Sequence, residues 1–333
     1  MRARLALALL AFSLSLGSAP ARADQEPAAL GGAPAPMATH WITLGTMGGP
    51  IPSAERSQPA NLLLRGPAAF LVDCGDGAVE RLTGAHVRLE QVRGVVLSHL
   101  HFDHTAGLAA VLGLRFQTNV TQPLTIYGPP GTKALVAGLL AAMEPAVEAG
   151  YGLPGARTIL PGDSVSVVEL SDGATFRLGD IAVTARQNTH YSFQPGSAAD
   201  ARFKSLAFRF EAPGRTIVYT GDTGPSPAVE ELAKGADLLV SEMIDVARTL
   251  ANVQANTPNA SADALTGIEE HLARHHLTPE QVGHLAQRAG VRALVVTHVV
   301  APRASAGDRL GYLGRISRIY PGPTVIANDL DQF

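Results

Sequence analysis

From about His40 onward, short apolar runs bounded by glycine, proline, asparagine and aspartate alternate with stretches whose apolar residues recur at helical spacing. The runs predict strands at Trp41–Leu44, Asn61–Arg65, Ala69–Val72, Val95–Ser98, Leu124–Tyr127, Val165–Leu170, Thr175–Leu178, Ile181–Arg186, Leu206–Phe210, Thr216–Thr220, Leu238–Ser241, Ala293–Thr297 and Thr324–Ala327. Helices are predicted at Ala78–Thr83, Thr105–Leu114, Thr132–Met143, Pro227–Lys234, Ala262–Arg274 and Pro279–Ala289, with a last one near Arg309–Ile319. Asp263 and Thr278 are N-cap types, and Gly235 and Gly290 stand where a glycine just past a helix end belongs. Strand-rich meanders interrupted by single helices come twice in succession. The layer arrangement that buries them is two sheets face to face with helices outside, an α/β fold. Leu250–Ala264 lacks a comparable pattern and is expected to be an irregular lid.

The chain has 333 residues, 46% of them hydrophobic and 17% charged, with one cysteine, which excludes collagen-like, disordered and disulfide-scaffold chains. Its start has the form of a secretory leader: Arg2 and Arg4, the apolar run Leu5 to Leu16, then the small-residue site Ala21-Arg22-Ala23. The expected organisation is a signal peptide over 1–23, a flexible Pro/Gly/Ala lead-in over 24–38 and one folded domain over 39–333. The mature chain is then expected to be periplasmic or secreted, with no membrane association once the signal is cleaved. Loss of Arg2, Arg4 and Arg22 takes the formal charge from −3 to −6, against a phosphate-backbone reader. Cys74 reads as a small buried hydrophobe.

The chemistry concentrates in His99-Leu100-His101-Phe102-Asp103-His104, directly after the apolar run that ends at Ser98. His99 and His101 are two apart, so in an extended segment both imidazoles project to one side. Asp103 and His104 fall where the next helix begins, so Asp103 reads either as a metal ligand or as a helix cap. His190, Asp222 and His298 each close a β-type run, bringing the candidate ligands to seven. Seven exceed what one tetrahedral zinc takes and suit two divalent ions. Imidazole with carboxylate selects zinc first, then iron or manganese. A carboxylate such as Asp222 can bridge two ions and leave a water acidic enough to attack, so the expected reaction is hydrolysis. Asp73 reads as a second contact for a ligand histidine or as a turn former, and Glu242 as a further acceptor or a solvated carboxylate. His40, His86, His271, His275 and His284 lack this context and are expected to be surface or packing residues.

The His-x-His-x-Asp-His cluster, His190, Thr220-Gly221-Asp222-Thr223 and Thr297-His298 resemble, in order and context, the metallo-β-lactamase-fold hydrolase superfamily. Leu44 to Pro50, Val72 to Gly77, Ile126 to Pro129 and Lys234 to Leu239 are similar to its tRNase Z and arylsulfatase-like branch. The resemblance implies a four-layer αββα sandwich. It also implies one metal on His99, His101 and His190, a second on Asp103, His104 and His298, and a bridging Asp222. His276, in His275-His276-Leu277-Thr278-Pro279, matches that branch's further histidine, although Leu277 replaces the usual small hydroxyl residue. On this basis Asp103 and His276 are the residues expected to act in catalysis, His276 as proton donor to the leaving oxygen.

Substrate choice lies in the loops. Between Gly131 and His190, where tRNA-processing relatives carry a basic arm, four basic residues face six acidic ones, a net of −2. The expected substrate is therefore a small anionic ester, with an aryl sulfate ahead of a phosphodiester, and the expected partners exclude nucleic acid. The alternative is a lactone or β-lactam ring-opening hydrolase with the same metals. Tyr191, Phe193, Phe203 and Phe116 are candidate walls for an aromatic or apolar leaving group.

Overall fold

The computed structural model describes residues 37–150, 159–191, 193–301 and 304–333. The predicted signal peptide, and the lead-in up to residue 36, lie outside the described residues. Strands β1 (Thr39–Gly45), β2 (Ala60–Arg65), β3 (Ala68–Cys74), β4 (Val92–Val96), β5 (Leu124–Gly128) and β6 (Val165–Glu169) form one sheet. Strands β7 (Thr175–Leu178), β8 (Ile181–Gln187), β9 (Leu206–Ala212), β10 (Arg215–Tyr219), β11 (Leu238–Ile244), β12 (Leu294–Val300) and β13 (Thr324–Ile326) form the other. The two-residue β14 (Asp331–Gln332) returns to pair antiparallel with β1, so the chain's end closes the first sheet.

Alternation along the strands sorts the apolar residues into three layers. Trp41, Leu63, Phe70, Val72 and Val96 meet Phe208, Phe210, Ile217, Tyr219 and Val240 between the sheets. Their neighbours Ile42, Leu62, Leu71 and Val95 point the other way, onto the helices carrying Leu82, Leu108 and Val136. On the far side Val218, Leu239 and Val296 pack against Leu232, Val282, Leu285 and Ile316 of three more helices. Each such side chain contributes about 1.5–3 kcal/mol when fully buried. The result is the four-layer αββα sandwich. Among the described residues no helix is long and apolar enough to cross a membrane.

Every predicted strand has a counterpart within a few residues, but the helices bring corrections. Leu250–Ala264 is not an irregular lid, because Val246–Asn256 and Ala262–His275 are both helical. Val246, Leu250 and Val253 on one, and Leu265, Ile268 and Leu272 on the other, are half-buried apolar positions at helical spacing. The cap of the second helix is Ser261, whose hydroxyl accepts from Ala264 N–H, with Asp263 in the first turn. Thr278 caps its helix as expected, and Gly290 ends it at φ 62°.

Two β-bulges shape the site. On β3, Ala60 pairs with Cys74 but Asn61 with Val72, leaving Asp73 as the extra residue at φ 57°. On β12, Ser241 pairs with Val296 and Met243 with Val299, so Thr297 and His298 together face Glu242. His298 has φ 43° there. For residues other than glycine this backbone is strained, and it turns both side chains out of the pleat toward one edge between the sheets.

Candidate metal centre

All seven sequence-predicted ligands converge at that edge. His99 and His101 follow β4, Asp103 and His104 lie in the short helix Phe102–Thr105, His190 follows β8, Asp222 follows β10 and His298 sits on the β12 bulge. The turn before Asp222 needs Gly221, at φ 56°, because a side chain there would lie 2.8 Å from the Leu206 carbonyl oxygen. The cap position of the short helix is His101, so Asp103 is not a helix cap and its carboxylate joins the cluster.

The donor atoms fall into two groups. His99 Nε2 and His190 Nε2 lie 3.0 and 3.2 Å from His101 Nδ1. His104 Nε2 and His298 Nε2 each lie 3.7 Å from Asp103 Oδ2. Asp222 stands between the groups. Its Oδ1 is 3.3 Å from His104 Nε2 and 3.1 Å from His298 Nε2, and its Oδ2 is 3.9 Å from both His99 Nε2 and His190 Nε2. Ligands about 2.0–2.1 Å from a tetrahedral ion sit about 3.3 Å from one another, so both groups are spaced to share a centre.

Three of these buried atoms, His104 Nε2, His298 Nε2 and Asp222 Oδ1, have no hydrogen-bond partner although they approach one another closely. They aim at common points rather than at each other, and a buried polar atom left so is costly unless a cation completes it. Burial drives His99 well below its ordinary pKa and His190 down to about 3, leaving neutral rings with free lone pairs. At His298 burial works against the charged form, yet Asp222 and Asp103 push the pKa up to about 10. That half of the pocket draws a cation, and a divalent ion would satisfy the same carboxylates while taking the neutral imidazole. The residues therefore fit a divalent metal.

The ring nitrogens turned away from the cluster are mostly held. His104 Nδ1 donates to Asp73 Oδ2 at 2.8 Å. The same carboxylate, fully buried, accepts from Ser98 N–H, the Ser98 hydroxyl and the Tyr219 hydroxyl, at 2.7, 2.8 and 2.7 Å. Asp73 thus orients a ligand histidine, as metal-bound imidazoles require. His190 Nδ1 donates to the His275 carbonyl at 3.1 Å, and His275 Nδ1 returns a bond to the Thr189 carbonyl at 2.7 Å. His275 is therefore not a packing residue: it clasps the His190 loop to the end of a helix. Its signal in the sequence is only adjacency to His276. Nothing in the run leading to Asp222 marks Tyr219, since Thr216 and Thr220 carry hydroxyls there too.

His276 offers a ring nitrogen within 4.8 Å of donor atoms of His190 and Asp222. Its Nδ1 is 2.9 Å from Glu242 Oε2. Glu242 is fully buried and also accepts from Thr223 N–H at 2.7 Å, so it is a site residue and not a solvated carboxylate. Burial works against an imidazolium at His276, but the Glu242 carboxylate outweighs it and holds the pKa above its ordinary value. Cys74 lies in the apolar core and burial pushes its thiol up, so it is no thiolate ligand.

This fold and site define a class, the metal-dependent hydrolases built on two sheets with ligands at their shared edge. Residues 69–299 match the β-lactamase superfamily domain, and the chain belongs to that superfamily, in its ribonuclease Z branch. It is 31% identical over 294 residues to the Ribonuclease Z of Mycolicibacterium paratuberculosis, covering 87% of this chain and 96% of the relative. The Ribonuclease Z of Mycolicibacterium gilvum is 32% identical over 262 residues, 78% of this chain and 84% of the relative. Among solved structures, human tRNase Z, short form, superposes with a TM-score of 0.60 at 20% identity, over 88% of this chain and 98% of that one. A metallo-β-lactamase-fold protein of Bacillus subtilis gives 0.61 at 21% identity, over 89% and 98%.

These relatives overturn two expectations. The exported hydrolase of a small anionic ester, aryl sulfate foremost, with lactone or β-lactam opening as its alternative, does not stand against near full-length similarity to ribonucleases. The exclusion of nucleic acid falls with it. The same ligand set serves many chemistries and does not carry the substrate. A charge count from Gly131 to His190 averages over a long segment and does not locate cations relative to the metal pocket.

Proposed function

We propose that the chain hydrolyses phosphodiester bonds in RNA, with His99, His101, His190 and Asp222 holding one zinc ion and Asp103, His104, His298 and Asp222 a second. The observation that carries this reading is the His276–Glu242 pair beside the seven-donor cluster, in a chain that matches Ribonuclease Z over 96% of that relative's length. Zinc is favoured by donors that are all imidazole and carboxylate. Bound there, two divalent ions supply Lewis-acid charge and an acidified water. Glu242 accepts Nδ1–H and favours the imidazolium form of His276, whose Nε2 proton can pass to the departing oxygen, leaving a neutral ring with its proton on Nδ1. Asp73 and the His275 carbonyl hold the ligand rings so that the donor set needs little rearrangement. Residues 1–23 are read as a removable leader ahead of a hydrolase domain over 39–333, with the mature chain periplasmic or secreted; cell fractionation with N-terminal sequencing tests that.

The test of function is cleavage of a precursor transfer RNA and of an unstructured oligoribonucleotide by zinc-loaded protein. His276→Ala is expected to lower kcat by about 10²–10⁴-fold while metal content stays unchanged. Absence of RNA cleavage by the loaded protein, or cleavage that survives exhaustive chelation, would overturn the reading.

A further inference from the structure

The metal cluster opens onto a row of aromatic rings that the hydrolytic chemistry does not use. The Tyr191 ring lies 5.4 Å from His101, 5.5 Å from His190 and 6.0 Å from His99, centroid to centroid. Phe193 follows at 5.5 Å from Tyr191, and Phe203 at 5.6 Å from Phe193. Phe193 and Phe203 are each 38% exposed, and Phe102, between His101 and Asp103 in sequence, is 83% exposed. Scattered exposed apolar residues are ordinary, but a contiguous row starting on metal-ligand candidates is not scattered.

The segment that carries Phe203 is anchored. Ser197 caps the helix Ala198–Arg202 by accepting from Asp200 N–H. Asp200 accepts from Gly196 N–H, the Gln187 amide at the end of β8, and Lys204 Nζ, at 3.0, 2.9 and 2.9 Å. The Arg202 guanidinium carbon lies 5.0 Å from the centre of the Phe203 ring, and among the described residues no carboxylate pairs with Arg202. Exposed π-faces beside an unpaired cation, continuous with the site of phosphodiester attack, match a strand whose bases are splayed and whose backbone is anionic.

We infer that Tyr191, Phe193 and Phe203, with Arg202, form a stacking platform for unpaired RNA bases next to the scissile phosphate. The inference rests on the RNA reading above and adds to it the substrate feature recognised: single-stranded nucleotides, taken by their π-faces and with little regard to sequence. Two ring steps of 5.5 and 5.6 Å accommodate about one or two nucleotides. Arg202 faces their phosphates.

The experiment titrates the zinc-loaded protein, with and without chelator, into short unpaired oligoribonucleotides carrying 2-aminopurine or abasic ribose at successive positions. The signals are fluorescence quenching and the dissociation constant, both independent of turnover. At one or two positions the abasic strand is expected to bind roughly 5- to 100-fold more weakly, with 2-aminopurine quenched at the same positions. Phe193→Leu with Phe203→Leu, which keeps apolar bulk and removes the rings, is expected to erase that preference, and Phe203→Trp in the Phe193→Leu background to restore part of it. Equal binding of base-bearing and abasic strands by the wild-type protein overturns the platform even if the leucine variants fail to fold. If the wild-type protein cleaves RNA without base-dependent binding, only the platform falls. If it neither binds nor cleaves RNA, both readings fall.

Discussion

Four donors converge on one carboxylate at Asp73, and His104 Nδ1 is among them. Asp73→Asn keeps the shape and removes the charge, so the His104 ring loses its anchor. Metal affinity is expected to drop about 10–100-fold, measured by competition with a chromogenic chelator. Glu242 acts likewise on His276. Because Glu242 holds the His276 pKa above its ordinary value, the proton persists to higher pH, and activity that needs it declines as pH rises through the elevated pKa. Glu242→Gln removes that support, and the alkaline limb of the kcat profile on RNA is expected to move to lower pH. The ligand types were legible because each stands at the end of an apolar run, a signal contained in a few neighbouring residues. Tyr219 was not, since its partner lies 146 positions away and only the packed sheets bring them together.

Periodicity located the strands and sized most helices, while the bulges at Asp73 and His298 left no trace in it, because a single inserted residue changes pairing without changing which residues are apolar. Of the two helices after β11, Ala262–His275 was foreseen, but Val246–Asn256 was missed for a related reason: its apolar stripe is only half-buried, so few of its positions are deeply buried. Asp200 gives the segment that carries Phe203 its own anchor. Backbone donation from Gly196, then the Lys204 and Gln187 bonds, hold its pKa down to about 2, so its contribution is present above the ordinary carboxylate pKa and is lost as pH falls through about 2. Asp200→Ala is expected to speed amide hydrogen exchange over residues 196–204 at neutral pH while leaving exchange in β10 and β11 unchanged.

At the scale of the whole molecule, the two sheets meet through an apolar middle layer at their interior and through the metal cluster at their edge. Ions that bind only the folded arrangement stabilise it by mass action. Chelation is therefore expected to lower the melting temperature measured by calorimetry, and stoichiometric zinc to restore it. The layered architecture was readable from alternation and element order. The substrate class was not, because net charge and ligand type are the same for hydrolases of very different molecules; relatives over nearly the full length corrected it.

In the proposed assignment each ion takes two side chains from the first sheet's half of the chain and two from the second's. His99 and His101 meet His190 and Asp222, while Asp103 and His104 meet His298 and Asp222. A ribosome-bound chain that has released its first half has only pairs to offer, too few to retain zinc against cellular competitors. The ion on His99, His101, His190 and Asp222 then has its full set only once Asp222 has been made, and the ion on Asp103, His104, His298 and Asp222 only once His298 has followed. A split gene expressing the halves separately would yield silent fragments that become active only on meeting.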